Sequence, residues 1–251
     1  MAYIFLDFDG TLAFHGKISN ENLRALYAAR EAGHKLFLNT GRGRGFVPQS
    51  CLDAFPFDGL ICGSVYLFYE GREIYSLAME KEAVTAIVRD AVSRKIPFVM
   101  EGTEHAYFYI AALKGPGTYL SDDGIEDFLA SPAAGKIAKI SFLVPELPED
   151  FKTPTLTRIP FPTYVEGVLN GHDKSSPMRV LSEKFGIPRE EMTAIGDSLN
   201  DAAMLAYAGK SAVIGHAPAA LDAYATYRTT GEEDGVAEAL SVLHGISFLR
   251  K

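Results

Sequence analysis

Two carboxylates lie one residue apart directly after a short apolar run near the start of the chain. The run is Tyr3–Leu6, and the acids Asp7 and Asp9 are followed by Gly10. Like charges held this close repel each other, so the pair requires a cation, a shared proton or both. Gly10 allows a sharp turn that brings backbone amides near an anion. Two surface acids beside a turn glycine explain the same short motif equally well.

A second segment, residues 38–45, has the composition of a phosphate-binding loop. Thr40 supplies a hydroxyl, Gly41 a backbone amide and Arg42 a guanidinium group, and all three suit a phosphate. The segment is not a dinucleotide-binding fingerprint, because the third glycine of that motif would fall on Phe46. A flexible glycine-rich turn is the alternative interpretation.

Two further segments carry ionisable groups near the ends of predicted elements. Lys174 comes just before a predicted helix, a position at which a lysine is usually solvated. Asp197 follows an apolar run and is followed in turn by Asn200 and Asp201. Hard oxygen ligands of this kind suit Mg²⁺, which takes one or two carboxylates together with phosphate and water. The alternative is an Asx-turn, with Asp201 in the first turn of a helix.

The elements around these residues predict a parallel sheet. After the first apolar run, Ser19 is a typical N-cap, apolar residues recur at helical spacing, and Gly33 is a typical stop. The run His34–Leu38 then restarts a strand. A strand, a helix and a strand with short connections form a βαβ unit. In open α/β sheets, ligands bind at the carboxyl ends of the strands, which is where Asp7 is expected.

The last third of the chain repeats this rhythm, whereas the middle does not. The elements predicted in the last third are a helix over Ser176–Gly186, a strand over Met192–Ile195, a helix over Asp201–Ala208, a strand over Ser211–Ile214, and helices over Ala217–Ala223 and Val236–Leu243. The elements predicted in the middle are a helix from about Glu80 through Val92 and strands over Pro97–Met100, Ala106–Ala111 and Lys139–Val144. The stretch Pro145–Pro162 holds five prolines, which predict a linker or an irregular edge.

These patterns predict an α/β fold class with a Rossmann-like parallel-sheet core. Residues 1–77 and 166–251 are expected to form the core, and residues 78–165 an inserted α+β domain. The length of 251 residues is long for one ordinary domain and short for two, and this division gives both parts an ordinary size.

Composition excludes several classes of function. The net charge of −8 disfavours partners such as nucleic acid or an anionic membrane, which require a positive surface. No apolar run reaches the roughly 18 residues of a membrane span. The N-terminus lacks a basic stretch before its apolar run, unlike a signal peptide. The two cysteines, Cys51 and Cys62, are no disulfide framework. We therefore expect a soluble, reduced, cytoplasmic protein.

Taken together and in this order, the four motifs resemble those of the haloacid dehalogenase-like (HAD) phosphohydrolase superfamily. The long insertion between the threonine and lysine motifs is similar to that of the large-cap subclass, specifically the Cof-type sugar-phosphatase group. Other segments similar to that group are Asn39–Arg42, Gly196–Leu205 and Glu233–Ala237. One departure is His172-Asp173 before Lys174, where relatives more often have small or neutral residues.

The resemblance implies a Mg²⁺-dependent phosphatase acting on a small phosphorylated metabolite, such as a sugar phosphate. Asp7 would be the nucleophile that forms an aspartyl-phosphate, and Asp9 the general acid and base. The implied phosphate-binding residues are Thr40, Gly41, Lys174 and Asn200, with Arg42 facing the leaving group. The implied metal ligands are Asp7, the backbone carbonyl of Asp9, Asp197, and Asp201 through water.

The inserted domain would act as a lid that excludes water and contacts the leaving group. Candidate side chains for that contact are Glu101, His105, Tyr107 and Tyr109, although the alternation over Tyr107–Ile110 favours ordinary sheet packing. The remaining histidines have no metal-ligand spacing and are interpreted as structural or surface residues: His15, His34, His216 and His244. No motif of the cap predicts the natural substrate, and none predicts an oligomeric state.

Three alternatives to a phosphatase remain. A phosphomutase or phosphotransferase would pass the same aspartyl-phosphate to a sugar. A receiver-type signalling domain also combines an acidic Mg²⁺ pocket with threonine and lysine, but it needs only about half this length. A binding protein with an inactive site has no support, because every chemical position is filled.

Overall fold

The computed structural model of the protein describes residues 1–103, 105–110 and 117–247. The chain forms two compact units. The first comprises Met1–Gly41, Pro48–Tyr75 and Asp173–Lys251, and the second comprises Arg42–Val47 and Ser76–His172.

Strands and helices alternate along the chain. The strands are β1 (Tyr3–Leu6), β2 (Ala13–Phe14), β3 (Lys17–Ile18), β4 (Lys35–Thr40), β5 (Gly59–Cys62), β6 (Tyr66–Tyr69), β7 (Arg72–Ser76), β8 (Phe98–Gly102), β9 (Ala106–Tyr109), β10 (Thr118–Leu120), β11 (Ile137–Phe142), β12 (Leu156–Pro160), β13 (Val165–Leu169), β14 (Met192–Gly196), β15 (Lys210–Val213) and β16 (Tyr227–Arg228). The α-helices are α1 (Asn20–Glu31), α2 (Gln49–Ala54), α3 (Lys81–Ser93), α4 (Gly124–Ala130), α5 (Ser176–Phe185), α6 (Ala202–Tyr207) and α7 (Gly235–His244). No helix of the described residues is long and apolar enough to cross a membrane.

The sheet of the first unit confirms the predicted parallel core. Its strand order is β16-β15-β14-β1-β4-β5-β6-β7, and the pairs from β16 to β5 are parallel. In the centre, Leu6 of β1 pairs with Leu38 of β4 and Ile195 of β14. The side chains of Ile4, Phe5 and Leu6 are all buried, as expected of a strand covered on both faces.

The helices of this unit begin and end where local chemistry favours it. The Ser19 side chain accepts a hydrogen bond from the backbone N of Asn22, which caps α1. Gly186 follows α5 with φ 65°, the left-handed conformation expected after a helix. The helix predicted over 217–223 is instead a 3₁₀ segment, Ala219–Tyr224. It buries only Leu221, so an α-helix there would have no apolar face to pack.

The second unit is the predicted mixed α+β structure. Its sheet has the order β10-β9-β8-β11-β13-β12, with the β10–β9 pair parallel and the others antiparallel. Its core joins one face of this sheet to α3 and α4, with Ile87 and Phe128 from the helices and Met100, Ile140 and Phe142 from the strands.

Two details of the second unit differ from the sequence expectations. The proline-rich stretch contains a strand, β12, which ends at Pro160 on the edge of the sheet, where proline is tolerated. The second unit continues past Val165 to His172, because Val165 and Glu166 of β13 pair with β11.

Of the strand predicted over 106–111, β9 covers Ala106–Tyr109, and Ala111 lies outside the described residues.

Candidate active site

Three of the four predicted motifs lie at one edge of the parallel sheet. Asp7 directly follows β1, Thr40 ends β4, and Asp197 directly follows β14. The three strands are neighbours in the order β14-β1-β4 and run parallel, so their carboxyl ends meet. The topology therefore brings together residues that are far apart in the sequence, such as Asp7 and Asp197.

Lys174 joins this edge as a buried residue rather than a solvated one. Its side chain is 3% exposed, and its Nζ donates to Asp7 Oδ1 and to Asp201 Oδ1, both at 2.5 Å. The Asn39 side-chain Nδ2 donates to the backbone carbonyl of Lys174 at 3.0 Å. The lysine is thus fixed through its backbone and its ammonium group, in direct contact with the proposed nucleophile.

Three carboxylates converge here against one ammonium group. One oxygen each of Asp7, Asp197 and Asp201 lie within 4.8 Å of one another. Burial raises the pKa of Asp7 well above its usual value, against the lowering effect of Lys174, and the neighbouring carboxylates raise it further. Burial also raises the pKa of Asp197. This excess of hard oxygen donors over positive charge fits a divalent cation such as Mg²⁺.

Asp201 organises the loop after β14. Its Oδ2 accepts hydrogen bonds from the backbone N of Asp197 at 3.0 Å and of Ser198 at 2.9 Å, while its Oδ1 accepts from Lys174. A Cβ on Gly196 would come within 2.6 Å of Asp201 Cγ, so glycine is needed for this close approach. Both oxygens of Asp201 thus have hydrogen-bond partners within the protein.

The loop after β1 closes over Asp197. Strand β1 ends at Leu6, and beyond it Asp7 is buried while Asp9 is exposed. Gly10 has φ 79°, and a Cβ there would lie 2.6 Å from Asp197 Oδ2. The Thr11 hydroxyl donates to Asp197 Oδ1 at 2.7 Å. Gly10 therefore allows a tight turn that packs closely against Asp197.

Three of the proposed phosphate-binding residues, Gly41, Lys174 and Asn200, lie close together. Thr40 is 1% exposed at the end of β4. A Cβ on Gly41 would lie 3.6 Å from Asn200 Nδ2 and 4.0 Å from Lys174 Cε. Because Asn200 Oδ1 accepts from the Ser198 hydroxyl at 2.6 Å, the amide nitrogen is the end directed toward Gly41. An amide donor, an ammonium group and a glycine backbone thus meet in one place, as an anion requires.

The other candidates belong to the second unit. Arg42 donates from Nη1 to the backbone carbonyl of Phe46 at 3.0 Å. His105 Nε2 lies 2.8 Å from Thr118 Oγ1. Tyr107 and Tyr109 belong to the helix-covered core, as the packing interpretation predicts. These contacts lie within the second unit, and a role of Arg42 or of the cap residues toward substrate stays a prediction.

Several side chains that hold the site have no role in the sequence motifs. These are Thr11, Asn39, Ser198 and His216. His216, expected to be structural or surface, is exposed, and its Nε2 lies 3.3 Å from Asp197 Oδ2. A signal was present, because His216 follows β15, whose carboxyl end borders that of β14.

Comparison with known proteins agrees with this geometry. The model of the haloacid dehalogenase-like hydrolase family matches residues 4–240. The chain therefore belongs to the haloacid dehalogenase-like hydrolases, which confirms the resemblance.

Individual relatives are distant. YkrA of Bacillus subtilis (strain 168) is 25% identical over 249 residues, which cover 96% of each protein. The 5-amino-6-(5-phospho-D-ribitylamino)uracil phosphatase YcsE of the same strain is 40% identical over 80 residues, 32% of each protein. A solved HAD subclass IIB sugar phosphatase has a TM-score of 0.81 at 23% identity, covering 98% of this chain and 100% of that one.

Proposed function

We propose that the protein is a Mg²⁺-dependent phosphatase that hydrolyses small phosphomonoesters through an aspartyl-phosphate on Asp7. The observation that carries the proposal is the contact of Asp7 with buried Lys174 among further carboxylates at the sheet edge. A phosphomonoester dianion repels an anionic nucleophile, so attack requires positive charge beside both. Lys174 provides part of that charge.

The remaining charge would come from the metal. Asp7, Asp197 and the backbone carbonyl of Asp9 would hold Mg²⁺, with Asp201 acting through water. When bound, the ion supplies two positive charges that offset the carboxylates and the phosphate. The converging oxygens and the raised pKa values of Asp7 and Asp197 support this assignment.

The reaction then proceeds in two displacements. A carboxylate oxygen of Asp7 attacks phosphorus, the bond from phosphorus to the leaving oxygen breaks, and Asp9 donates its proton to that oxygen. Water next attacks the aspartyl-phosphate while Asp9 takes the water's proton, which releases phosphate and restores Asp7. Thr40, Gly41, Asn200 and Lys174 would bind the phosphate oxygens throughout.

The substrate class proposed is a sugar phosphate or a related small metabolite. Two of the similar proteins, a sugar phosphatase and a 5-amino-6-(5-phospho-D-ribitylamino)uracil phosphatase, support it by their names. The net charge of −8 argues against nucleic acid or an anionic membrane as a partner. We propose the cytoplasm as the place of action, because the proposed substrates are phosphorylated metabolites.

The proposal is tested with p-nitrophenyl phosphate and Mg²⁺. Asp7→Asn removes the nucleophile and should lower phosphate release by at least about a thousandfold. Thermal unfolding of the variant is the control for folding. Substantial turnover by a folded Asp7→Asn protein contradicts the nucleophile assignment. A panel of phosphorylated metabolites then ranks substrates, and transfer of phosphate to an added sugar instead of water would identify a phosphotransferase.

A further inference from the structure

An asparagine lies in the apolar core of the first unit, one residue before Thr40. Asn39 belongs to β4 and its side chain is fully buried. Side chains two residues apart on a strand share a face, so Asn39 lies on the same face as Phe37. Phe37 shares an apolar core with Met178 of α5 and Met204 of α6. A polar side chain in such a place requires hydrogen-bond partners, because burial of an unpaired amide is unfavourable.

The amide of Asn39 is only partly satisfied. Its Nδ2 donates to the backbone carbonyl of Lys174 at 3.0 Å and lies 3.4 Å from the Met204 sulfur, which is a weak acceptor. Among the side chains that the structure describes, Asn39 Oδ1 is buried without a hydrogen-bond partner. An unpaired buried acceptor lowers stability. The asparagine is therefore explained by its donor, which holds the carbonyl of Lys174.

The opposite side of the same peptide group is held by Asp173. The carbonyl of Lys174 and the N–H of Ser175 belong to one planar peptide group. This N–H donates to Asp173 Oδ1 at 2.8 Å, and the Ser175 hydroxyl donates to the same oxygen at 2.6 Å. The plane is thus held through its carbonyl by Asn39 and through its N–H by Asp173.

Asp173 is itself fixed at the start of α5. Its backbone N–H donates to Ser176 Oγ at 3.0 Å, and its carbonyl accepts from the backbone N–H of Ser176 at 3.0 Å. The second bond closes a β-turn with Lys174 and Ser175 in the middle, and aspartate is favoured as the first residue of such a turn. The turn gives a structural reason for an acid directly before Lys174, where the sequence departs from its relatives.

The residue in the middle of this turn contacts the proposed nucleophile. Lys174 Nζ donates to Asp7 Oδ1 and to Asp201 Oδ1. A lysine ammonium is carried on a flexible four-carbon stem, so its place depends on where the backbone is fixed.

We propose that Asn39 and Asp173 are positioning residues that orient the peptide group after Lys174 and thereby place the Lys174 ammonium for phosphate binding. The contacts that carry this inference all lie within the first unit. The inference rests on the proposed function, because it concerns the lysine assigned there to phosphate.

The first test replaces the donor. Asn39→Leu substitutes an apolar side chain of similar size for the amide. The dissociation constant of inorganic phosphate, measured by calorimetry with Mg²⁺ present, should rise roughly three- to tenfold, as expected for the loss of one hydrogen bond. The KM for p-nitrophenyl phosphate should rise by a similar factor. A structural defect that inactivates some of the molecules would instead lower kcat and leave KM unchanged.

Stability is measured on the same variant. Leucine removes the unpaired oxygen and adds apolar contact, which offsets the lost hydrogen bond to the carbonyl of Lys174. The urea midpoint of Asn39→Leu should therefore stay level or rise while phosphate binding weakens. Met204→Leu is the matched control, because it removes the sulfur beside the same amide, nearly conserves volume and leaves the bond to Lys174 in place. It should leave phosphate binding unchanged.

A pair of substitutions tests the other side of the peptide group. Asp173→Ala removes the acceptor of the Ser175 N–H and should raise the phosphate dissociation constant roughly three- to tenfold. Asp173→Asn keeps an acceptor oxygen and should stay within about twofold of the parent protein. Loss of the negative charge alone would strengthen phosphate binding in both variants. Asp173 is exposed, so this pair tests the proposal even where Asn39→Leu folds poorly.

The outcomes distinguish this inference from the proposed function. Unchanged phosphate binding in a folded Asn39→Leu or Asp173→Ala protein overturns the positioning role. An equal loss in Met204→Leu or in Asp173→Asn also overturns it. A parent protein that neither binds phosphate nor hydrolyses p-nitrophenyl phosphate overturns the proposed function instead.

Discussion

At the scale of single residues, Asp7 and Asp9 share a motif but not an environment. Asp7 is buried against Lys174, whereas Asp9 is exposed. An exposed carboxyl contributes little to folding but can exchange protons with water and a leaving group. Asp9→Asn should therefore lower kcat by roughly a hundred- to ten-thousandfold while the unfolding temperature stays nearly constant. The test measures kcat and the unfolding temperature on one preparation of Asp9→Asn. A fall of the unfolding temperature in parallel with kcat would favour a structural role of Asp9.

His216 tests a different property, the affinity for metal. It contacts Asp197 Oδ2 at 3.3 Å, while Thr11 holds Asp197 Oδ1. Partners of a metal-binding carboxylate orient it, and their loss typically weakens metal binding tenfold or more. His216→Ala should raise the Mg²⁺ dissociation constant about tenfold. The constant is measured by calorimetry, or with Mn²⁺ in place of Mg²⁺ by electron paramagnetic resonance. His15→Ala serves as the comparison, and equal Mg²⁺ affinity in both variants would contradict the role of His216.

At the scale of elements, one asparagine links α1 to two distant segments. Asn22 is fully buried, and its Nδ2 donates to the carbonyls of Leu12 at 3.3 Å and of Glu233 at 2.9 Å. Its Oδ1 accepts from the backbone N of Ala237 at 3.0 Å. Asn22→Ala leaves these groups unsatisfied and should lower the free energy of unfolding by about 3 kcal/mol. Ser19→Ala, which removes only the cap of α1, should cost about 1 kcal/mol. Urea unfolding compares the two, and equal losses would contradict the linking role.

Elements with a local sequence pattern can be predicted from the sequence, whereas contacts between distant residues cannot. The βαβ rhythm and the position of Asp7 after an apolar run are local patterns, so β1, α1 and β4 are found where expected. Contacts such as Thr11 with Asp197 or Gly43 with Glu101 join residues 186 and 58 positions apart and have no local pattern. The parallel order of the strands brings Thr11 and Asp197 together. The pairing of β8 with its neighbours buries Glu101.

The second unit extends beyond residue 165, the end predicted from the sequence, for a related reason. Val165–Leu169 mixes apolar residues with Glu166 and Gly167, and its composition fits either sheet. Its hydrogen bonds to β11 and β12 decide its place, and they depend on the register of strands that the proline-rich stretch separates. Predicted boundaries fail where pairing between distant strands, rather than local propensity, selects the partner.

At the scale of the whole molecule, a pair of histidines makes stability depend on pH. His244, at the end of α7, stacks edge-on against His34 with ring centroids 4.9 Å apart, and its Nε2 lies 2.9 Å from Thr193 Oγ1. The carboxyl end of a helix ordinarily favours a protonated histidine. Here burial, together with His34, Lys210 and the N-terminus, lowers the pKa of His244 to about 4. Burial also lowers the pKa of His34.

The sign of the effect follows from proton binding. The pKa of histidine in the unfolded chain is near 6.5. Between that pH and about 4, His244 is therefore protonated in the unfolded chain but neutral in the folded protein. The contribution of neutral His244 to the free energy of unfolding is fully present above pH 6.5 and is lost as the pH falls toward 4. The urea midpoint should therefore drop between pH 7.5 and pH 5, and it should drop less in His244→Gln, which cannot titrate. Carboxylate titration is common to both proteins and cancels in the comparison. An identical drop in both would mean that folded His244 takes up its proton as readily as the unfolded chain does.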